Sequence, residues 1–446
     1  MAVAAPIPSI VGALKCQKDS YLQTYETEVV SCEEYVPAKE SQPGGKTKTK
    51  KSTDPTKVNT TAETKSWLIE FADSVLFPEG GGQPTDHGFI TLLDDNNASP
   101  IQVKNIQRHG LRCIHFSPSP LPTGTKVRQA VDFPRRWDHM QQHTGQHLLS
   151  AIMDTMDLPT LGWSMGSAGE QNYIELPRKP SAEELATIQS RCNAAIRSNH
   201  PITVETPSDK TSTKLPADYD REKGVMRFIK IGSLDNNACC GTHLQQTSHI
   251  GVILLHHTAP IRGTNCRLYF TAGDRAITMA TESINSLRSI AVSLSSSAVP
   301  ADVVAGVQRQ SDNAFDAKKR EKRMLAEIAG FEGQRIVTGL QEHECAFLHR
   351  ATDGLDFINL VLSEIRDVLK ERGVVVLCSG EVGAAGSIVI TGKAELVESM
   401  AAKVKELVGS VKGGGRDEKW QGKVVEWAKG EVEEVKRAVE GWPKSA

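Results

Sequence analysis

The sequence predicts an α+β protein of several domains. Three observations carry that prediction: a length of 446 residues, a switch from strand to helix periodicity near residue 135, and a last third in which short apolar strands alternate with helices. A chain of this length exceeds one ordinary hydrophobic core, so two to four domains are expected. With 39% hydrophobic and 24% charged residues, the composition is that of a soluble globular protein. No apolar run reaches the roughly 18 residues of a membrane helix. The opening stretch, MAVAAPIPSIVGALKCQKD, lacks the basic n-region of a signal peptide and the arginines of a transit peptide, so the expected location is the cytoplasm.

In chain order, TYETEVVSC, SWLIEFADSVLF, HGFITLLD and TKVRQAVDF read as strands separated by Gly, Pro and Asp turns. Between them, residues 37–65 hold seven lysines against three acids and almost nothing apolar, which predicts a flexible surface insertion. From Arg135 to Met156 the period becomes helical: Trp137, Met140, Thr144, Leu148, Ile152 and Met156 form one stripe expected to be buried. Mixed strand and helix follows to about Phe270, including the helix SAEELATIQSRCNAAIRSN. Asp274 to Phe331 reads as two long helices broken at SSSAVPAD, an antiparallel hairpin that either packs internally or pairs with another chain. In the last third, GVVVLC and SIVITG read as strands, GLDFINLVLSEIRDVLKERG and KAELVESMAAKVKELVG as helices. A final helix over DEKWQGKVVEWAKGEVEEVKRAVE is expected after a GGG turn. The expected divisions are residues 1–131, 132–272, 273–333 and 334–446.

Nine cysteines, an odd number and mostly scattered, do not describe a disulfide framework. Only Cys239 and Cys240 cluster, beside His243. On the Arg135–Met156 helix, His143 and His147 are four residues apart and leave the same face, so both imidazoles can reach one Zn²⁺. Cys239 and His243 in ACCGTH repeat the spacing of four. His139 is also four residues from His143, which leaves a second histidine pair open. The two pairs together, in a chain with no other clustered ligands, point to one shared zinc site. HTGQH lacks the glutamate of HExxH metalloproteases, and neither a GxSxG elbow nor a P-loop is present. Peptidase, serine hydrolase and NTPase readings are therefore weak. Four protein ligands describe a closed, structural zinc, whereas a catalytic zinc keeps a position open; the sequence allows both.

VDFPRRWDHMQQHTGQHLLSAI, then IGSLDNNACCGTHLQQTSHIGVI and RGTNCRLYFTAGDRA, strongly resemble the editing domain of alanyl-tRNA synthetases and, more closely, the freestanding editing proteins of the AlaX family in its long form. FPEGGGQPTDHG at residues 77–88 resembles the glycine-rich motif of the small β-barrel that precedes that domain. The resemblance covers nearly the whole chain. It implies an N-terminal β-barrel over residues 1–131, a zinc-containing α/β editing domain over 132–272, a helical hairpin and a small C-terminal α/β domain. It implies metal ligation by His143, His147, Cys239 and His243, with His139 and Cys240 outside the ligand set.

The implied activity is hydrolysis of mischarged tRNA(Ala), chiefly carrying serine and also glycine, without ATP and without a membrane. An activation pocket rejects an isostere that gains a hydroxyl or loses a methyl group by only about 10–200-fold, so a second site is needed. Thr144 and Thr242, each beside a ligand, have two readings, hydroxyls at the reaction or structural caps. Gln146 is expected in the pocket, because HTGQH replaces the HTATH of the synthetase. Gly80, Gly81, Gly82 and Gln83, with Asp86 nearby, serve either contact with the RNA terminus or tight packing of barrel on editing domain. Arg135 and Arg136, with Lys412, Arg416, Lys419 and Lys423 near the GGG segment, are the candidates for phosphate contact. Residues 403–446 carry ten basic against eight acidic side chains, so charge alone marks no dedicated RNA face there. The competing reading is a non-enzymatic, zinc-stabilised protein that binds partners or works with chaperones.

Overall fold

In a computed structural model of the chain, residues 6–36, 66–95, 97–167, 169–206, 224–369 and 372–443 are described. The expected insertion at 37–65 lies outside the described residues. The fold is α+β, with two units, Met1–Ser286 and Leu287–Ala446.

The first unit opens on a short helix, α1 (Lys15–Lys18), and an antiparallel sheet of seven strands: β1 (Thr24–Tyr35), β2 (Ser66–Phe71), β3 (Gly88–Leu92), β4 (Ile101–Val103), β5 (Ile106–His109), β6 (Arg112–Ser117) and β7 (Lys126–Val131). Their order is β4-β3-β7-β1-β2-β6-β5. The edge strands β4 and β5 are consecutive in the chain, separated only by residues 104–105, a reach of about 7 Å. That short link brings the two edges together, and the sheet is nearly closed into a barrel. β1 is long enough to serve two partners, Thr24–Glu28 against β7 and Val29–Tyr35 against β2. Tyr35 pairs with Ser66, so residues 37–65 join neighbouring ends of two antiparallel strands. Val29, Ile69, Phe71, Ile90, Val103, Ile106 and Val127 fill the interior.

α2 (Phe133–Asp154) follows, started by the Asp132 side chain, which accepts from the Arg135 backbone N–H at 3.3 Å, with Pro134 in its first turn. One buried stripe was expected; instead every residue from His139 to Met153 is buried. A second helix, the turn at residues 247–250 and strands of two sheets pack around it, so its polar face, which a surface helix would turn to water, looks inward. One sheet is β8 (Gly162–Ser164), β9 (Asn172–Leu176), β13 (Ile253–Pro260) and β14 (Cys266–Ala272), in the order β13-β14-β9-β8. The other is β10 (Ile202–Glu205), β11 (Phe228–Ile231) and β12 (Asp235–Ala238). α3 (Ala182–Arg197) is closed by a Ser181–Glu184 capping box. Met140, Leu148, Leu149, Ile152, Ile174, Ile188, Leu268 and Phe270 share one core.

α4 (Gly273–Ser293) and α5 (Pro300–Glu342) break where the serine run and Pro300 predict. In the second unit Leu294 lies over Gly306, where a Cβ would come within 3.2 Å. α5 runs to Glu342, beyond the expected end at Phe331, because Ile336 and Leu340 are buried in a core with Phe357, Val361 and Ile365.

The remaining elements are β15 (Cys345–Arg350), α6 (Gly354–Leu369), β16 (Val374–Ser379), β17 (Gly386–Gly392), α7 (Ala394–Leu407), β18 (Val411–Arg416), β19 (Lys419–Val424) and α8 (Glu431–Glu440). The sheet order is β15-β16-β17-β19-β18, with β15 and β16 parallel. β16 is buried on both faces: Val374, Val376 and Cys378 join the core of α7 and α8, Val375 and Leu377 that of α5 and α6. The expected final helix is corrected here. KWQGKV is a strand with Trp420, Gly422 and Val424 inward, a period of two that the helical reading overlooked. The GGG segment is its partner strand rather than a turn, and the turn falls at Asp417, with φ +55°.

Candidate metal centre

Two elements and one barrel loop build the site. α2 presents His143 and His147 one turn apart, and the segment after β12 supplies Cys239 and His243. One ligand atom from each lies within 4.8 Å of the others. Nε2 of His143 and Nε2 of His243 are each 3.3 Å from Cys239 Sγ. A tetrahedral ion with bonds of about 2.0–2.3 Å places neighbouring ligand atoms about 3.3–3.6 Å apart, so these spacings fit one shared ion.

Each imidazole is held by its other nitrogen. The Gln83 side-chain amide donates through Nε2 to Thr242 Oγ1 at 2.8 Å, and its Oε1 accepts from the Thr242 backbone N–H at 3.0 Å. With that orientation fixed, Nδ1–H of His143 donates to the same Oε1 at 2.9 Å. Nδ1 of His147 faces Asp235 Oδ2 at 3.0 Å, and Nδ1 of His243 faces Thr144 Oγ1 at 3.3 Å. The acceptors at His143 and His147 fix a proton on Nδ1, the Thr144 hydroxyl holds Nδ1 of His243, and His143 and His243 turn Nε2 to the Cys239 thiol. His143 and His243 are 1% and 3% exposed. Gly241 lies so close beneath His143 that a Cβ would sit 2.3 Å from its ring, which excludes any side chain there.

The electrostatics also call for a cation. Burial alone would raise the Cys239 thiol, but the imidazoles of His143, His243 and His147 outweigh it and hold the thiol well below its usual value. Burial lowers His147, yet Cys239 and Asp235 overcome it and raise the ring to about 9. A thiolate thus stands at the centre, and the Asp235 carboxylate backs His147 from the outer side. Burial and the neighbouring Cys239 charge push Cys240 up to about 11, and its Sγ points instead toward Gly80 and Gly81.

The remaining expected residues divide. Gly81, with Cys240, lies against the cluster, and Gly82, at φ +81°, packs so that a Cβ would meet the Trp163 ring at 2.7 Å. Gly80 and Gln83 close this turn through mutual backbone bonds of 3.0 and 3.1 Å. Gln83 is 2% exposed and orients His143, so it does not face solvent where RNA would bind. Thr144 is fully buried; its hydroxyl also accepts from the Leu244 N–H at 3.1 Å. Thr242 is spent on Gln83. Gln146 donates to Ser150 Oγ at 2.8 Å and does not line the cavity beside the cluster. Thr144, Thr242 and Gln146, expected at the reacting groups, thus occupy supporting positions: α2 is enclosed and satisfies Thr144 and Gln146 internally, while Thr242, after β12, is held by Gln83. Arg135 is half-buried and donates to the Thr85 carbonyl at 3.1 and 3.2 Å. Arg136 is corrected outright: it is fully buried against Asp86 and cannot reach a phosphate. His139 is 2% exposed, outside the cluster, and burial pulls it down to about 3.

A cavity of about 200 Å³ opens beside the cluster, walled by His143, His147, Cys239, Cys240, Gly81, Trp163, Met226 and Arg227 among others. Trp163 stands 4.9 Å from the His143 ring. Two groups here escaped the sequence reading, Asp235 and Arg227. Asp235 lies four residues before Cys239, a proximity that could have flagged it; Arg227 gave no signal. Asp235→Asn is expected to weaken metal affinity by about 10–100-fold, since an outer carboxylate sets the basicity of its histidine. Competition with a chelator measures this; parental affinity would show that Asp235 does not tune His147.

The profile described as threonyl and alanyl tRNA synthetase second additional domain matches residues 226–269, which include Cys239 and His243. A Saccharomyces cerevisiae protein named "Putative alanyl-tRNA editing protein alaX" is 33% identical, covering 94% of each chain. The Danio rerio alanyl-tRNA editing protein Aarsd1 is 32% identical over 92% of this chain and 93% of its own. An alanine–tRNA ligase from Thermococcus kodakarensis is 29% identical over 83% of this chain but only 41% of the ligase.

Proposed function

This chain belongs to the family of alanyl-tRNA editing proteins, and from that premise we propose that it deacylates mischarged tRNA(Ala) in trans, chiefly seryl-tRNA(Ala) and also glycyl-tRNA(Ala), at a zinc site formed by His143, His147, Cys239 and His243. The observation that carries the reading is a four-ligand cluster whose histidines are all pre-set by outer partners, opening on a small cavity. Three imidazoles and a thiolate suit Zn²⁺ better than Mg²⁺ or Ca²⁺. Bound zinc supplies Lewis acidity toward a carbonyl or water oxygen.

The chain's own residues do the rest. Gln83, Thr144 and Asp235 fix the three rings; Thr242 holds Gln83. Trp163 and the backbone of Gly81 narrow the cavity. Its space of about 200 Å³ is ample for a seryl or glycyl group. The turn of Gly80–Gly82 is the proposed approach of the RNA terminus, with Arg135 as the nearby cation. The proposed location is the cytoplasm, and among the described residues no helix is long and apolar enough to cross a membrane. The proposed layout keeps the barrel, the zinc-bearing domain, the helical pair and the C-terminal α/β domain as successive parts.

The test is amino-acid release from charged tRNA(Ala). Serine is expected to leave faster than alanine by about 10- to 150-fold, since polar groups satisfied by the serine hydroxyl stay unpaired against alanine. Equal rates on both substrates would remove the serine-selective pocket. No release from any charged tRNA, at full metal content, would favour the non-enzymatic alternative.

A further inference from the structure

Arg227, one residue before β11, is 5% exposed and forms part of the cavity wall. Its Nε donates to the Gln17 carbonyl at 3.2 Å, and Nη1 donates to the carbonyls of Cys239 and Gly241 at 2.9 and 2.7 Å. Nη2 has no partner among the described residues, and it is not among the sealed, unpartnered atoms. No carboxylate there lies within ion-pair distance of it. Arg136 is the contrast: equally buried, but paired with Asp86 and bonded to the carbonyls of Ser20 and Val75. Among the described residues Arg227 thus has no carboxylate partner; Cys239 is the main favourable charge acting on it, and burial still lowers it, so its backbone bonds only partly offset the cost of burying it. Arg108, the other arginine of the cavity wall, is only half-buried, so solvent screens its charge.

We propose that Arg227 is a catalytic residue whose free Nη2 hydrogens bond the carbonyl oxygen of the aminoacyl ester as that oxygen becomes negative. The proposal rests on the deacylase reading above. Water adds through its oxygen to the ester carbonyl carbon, and the carbonyl π pair moves onto the oxygen held by Arg227. That pair then returns, the bond to the ribose oxygen breaks, and the proton lost by the water ends on that ribose oxygen. The products are free amino acid and a tRNA 3′-terminal hydroxyl. The ester carbonyl oxygen bears no formal charge when it arrives, so a buried guanidinium binds it weakly and binds the oxyanion of the intermediate strongly, a difference that appears in rate rather than in affinity.

The experiment uses the full metal-bearing chain. Parental release of serine from seryl-tRNA(Ala) is measured first, and its absence would sink the deacylase reading rather than this role. Given parental activity, Arg227→Gln is expected to slow single-turnover release by about 10²- to 10³-fold. Metal content, and affinity for tRNA(Ala) carrying an uncleavable amide-linked serine, should stay within about threefold. Arg227→Lys, the variant safest for folding, keeps the charge but not the planar fork, and a loss of about tenfold is expected. In Arg227→Ala, added guanidinium ion should restore rate and uncharged urea should not. A folded Arg227→Lys at the parental rate overturns the proposal. So does a loss of release in Arg227→Gln matched by an equal loss of metal or of analogue affinity, or rescue by guanidinium and urea alike.

Discussion

Cys239→Ala is expected to strip the protein of bound metal and to slow release of serine from seryl-tRNA(Ala) by at least about 10³-fold, the loss of several kcal/mol of charge stabilisation. Cys240→Ala is expected to leave both unchanged. The two thiols are neighbours in the chain and opposites in environment. Cys239 Sγ sits 3.3 Å from the Nε2 atoms of His143 and His243, among three imidazoles that together hold its thiol well below the usual value. Cys240 is pushed to about 11 and stays a neutral thiol, a poor ligand, with its sulfur against Gly80 and Gly81. Metal per chain, by elemental analysis of each variant, and the release rate are read together. Metal lost from Cys240→Ala but kept by Cys239→Ala would mean that the other thiol binds. Metal lost from Cys239→Ala at an undiminished rate would make the ion structural.

What the sequence could reveal follows the range over which its signals act. The i, i+4 pairs His143–His147 and Cys239–His243 are local, so they stood out before any fold was known. So did the short apolar run of β16 and the Pro300 break. The partners that orient the histidines are not local. Gln83 reaches His143 across 60 residues and Asp235 reaches His147 across 88; no spacing marks Gln83, and Asp235 is marked only by its nearness to Cys239. Thr144 and Gln146 were placed at the pocket because they lie between two ligands. A helix turns 100° per residue, however, and with α2 enclosed on every side those turns point into other elements. The misread C-terminal segment shows a different limit. KWQGKV is short, its strand character rests on Trp420, Gly422 and Val424 facing one way, and its partner is a glycine-rich strand with no side chains to announce it. Close packing explains Gly413 and Gly415, where a Cβ would run into the carbonyls of Gln421 and Lys419, but not Gly414, which faces open space.

Arg136→Met is expected to destabilise the first unit by about 3–5 kcal/mol, the cost of leaving one member of a buried ion pair alone. Arg136 and Asp86 are both fully buried, and the guanidinium spans three segments. Its Nε donates to Asp86 at 3.0 Å, Nη1 to the Ser20 carbonyl at 3.0 Å and Nη2 to the Val75 carbonyl at 2.7 Å. Asp86 in turn accepts from the Phe77 N–H at 2.7 Å. The pair therefore clamps both ends of the loop from Val75 to Asp86 onto the first turns of α2. That loop carries Gly81, which walls the cavity, and Gln83, which sets His143. Methionine fills similar space but leaves the Asp86 carboxylate buried with only backbone donors. At roughly 2–4 °C per kcal/mol for a unit of this size, the melting midpoint should fall by about 6–20 °C. The double variant Arg136→Met/Asp86→Leu removes both charges and should recover part of the loss. If the guanidinium instead served RNA phosphates, Arg136→Met would melt within about 2 °C of the parent and weaken tRNA binding in a salt-dependent way. Thermal unfolding and a salt titration of tRNA affinity on the same protein separate the two outcomes.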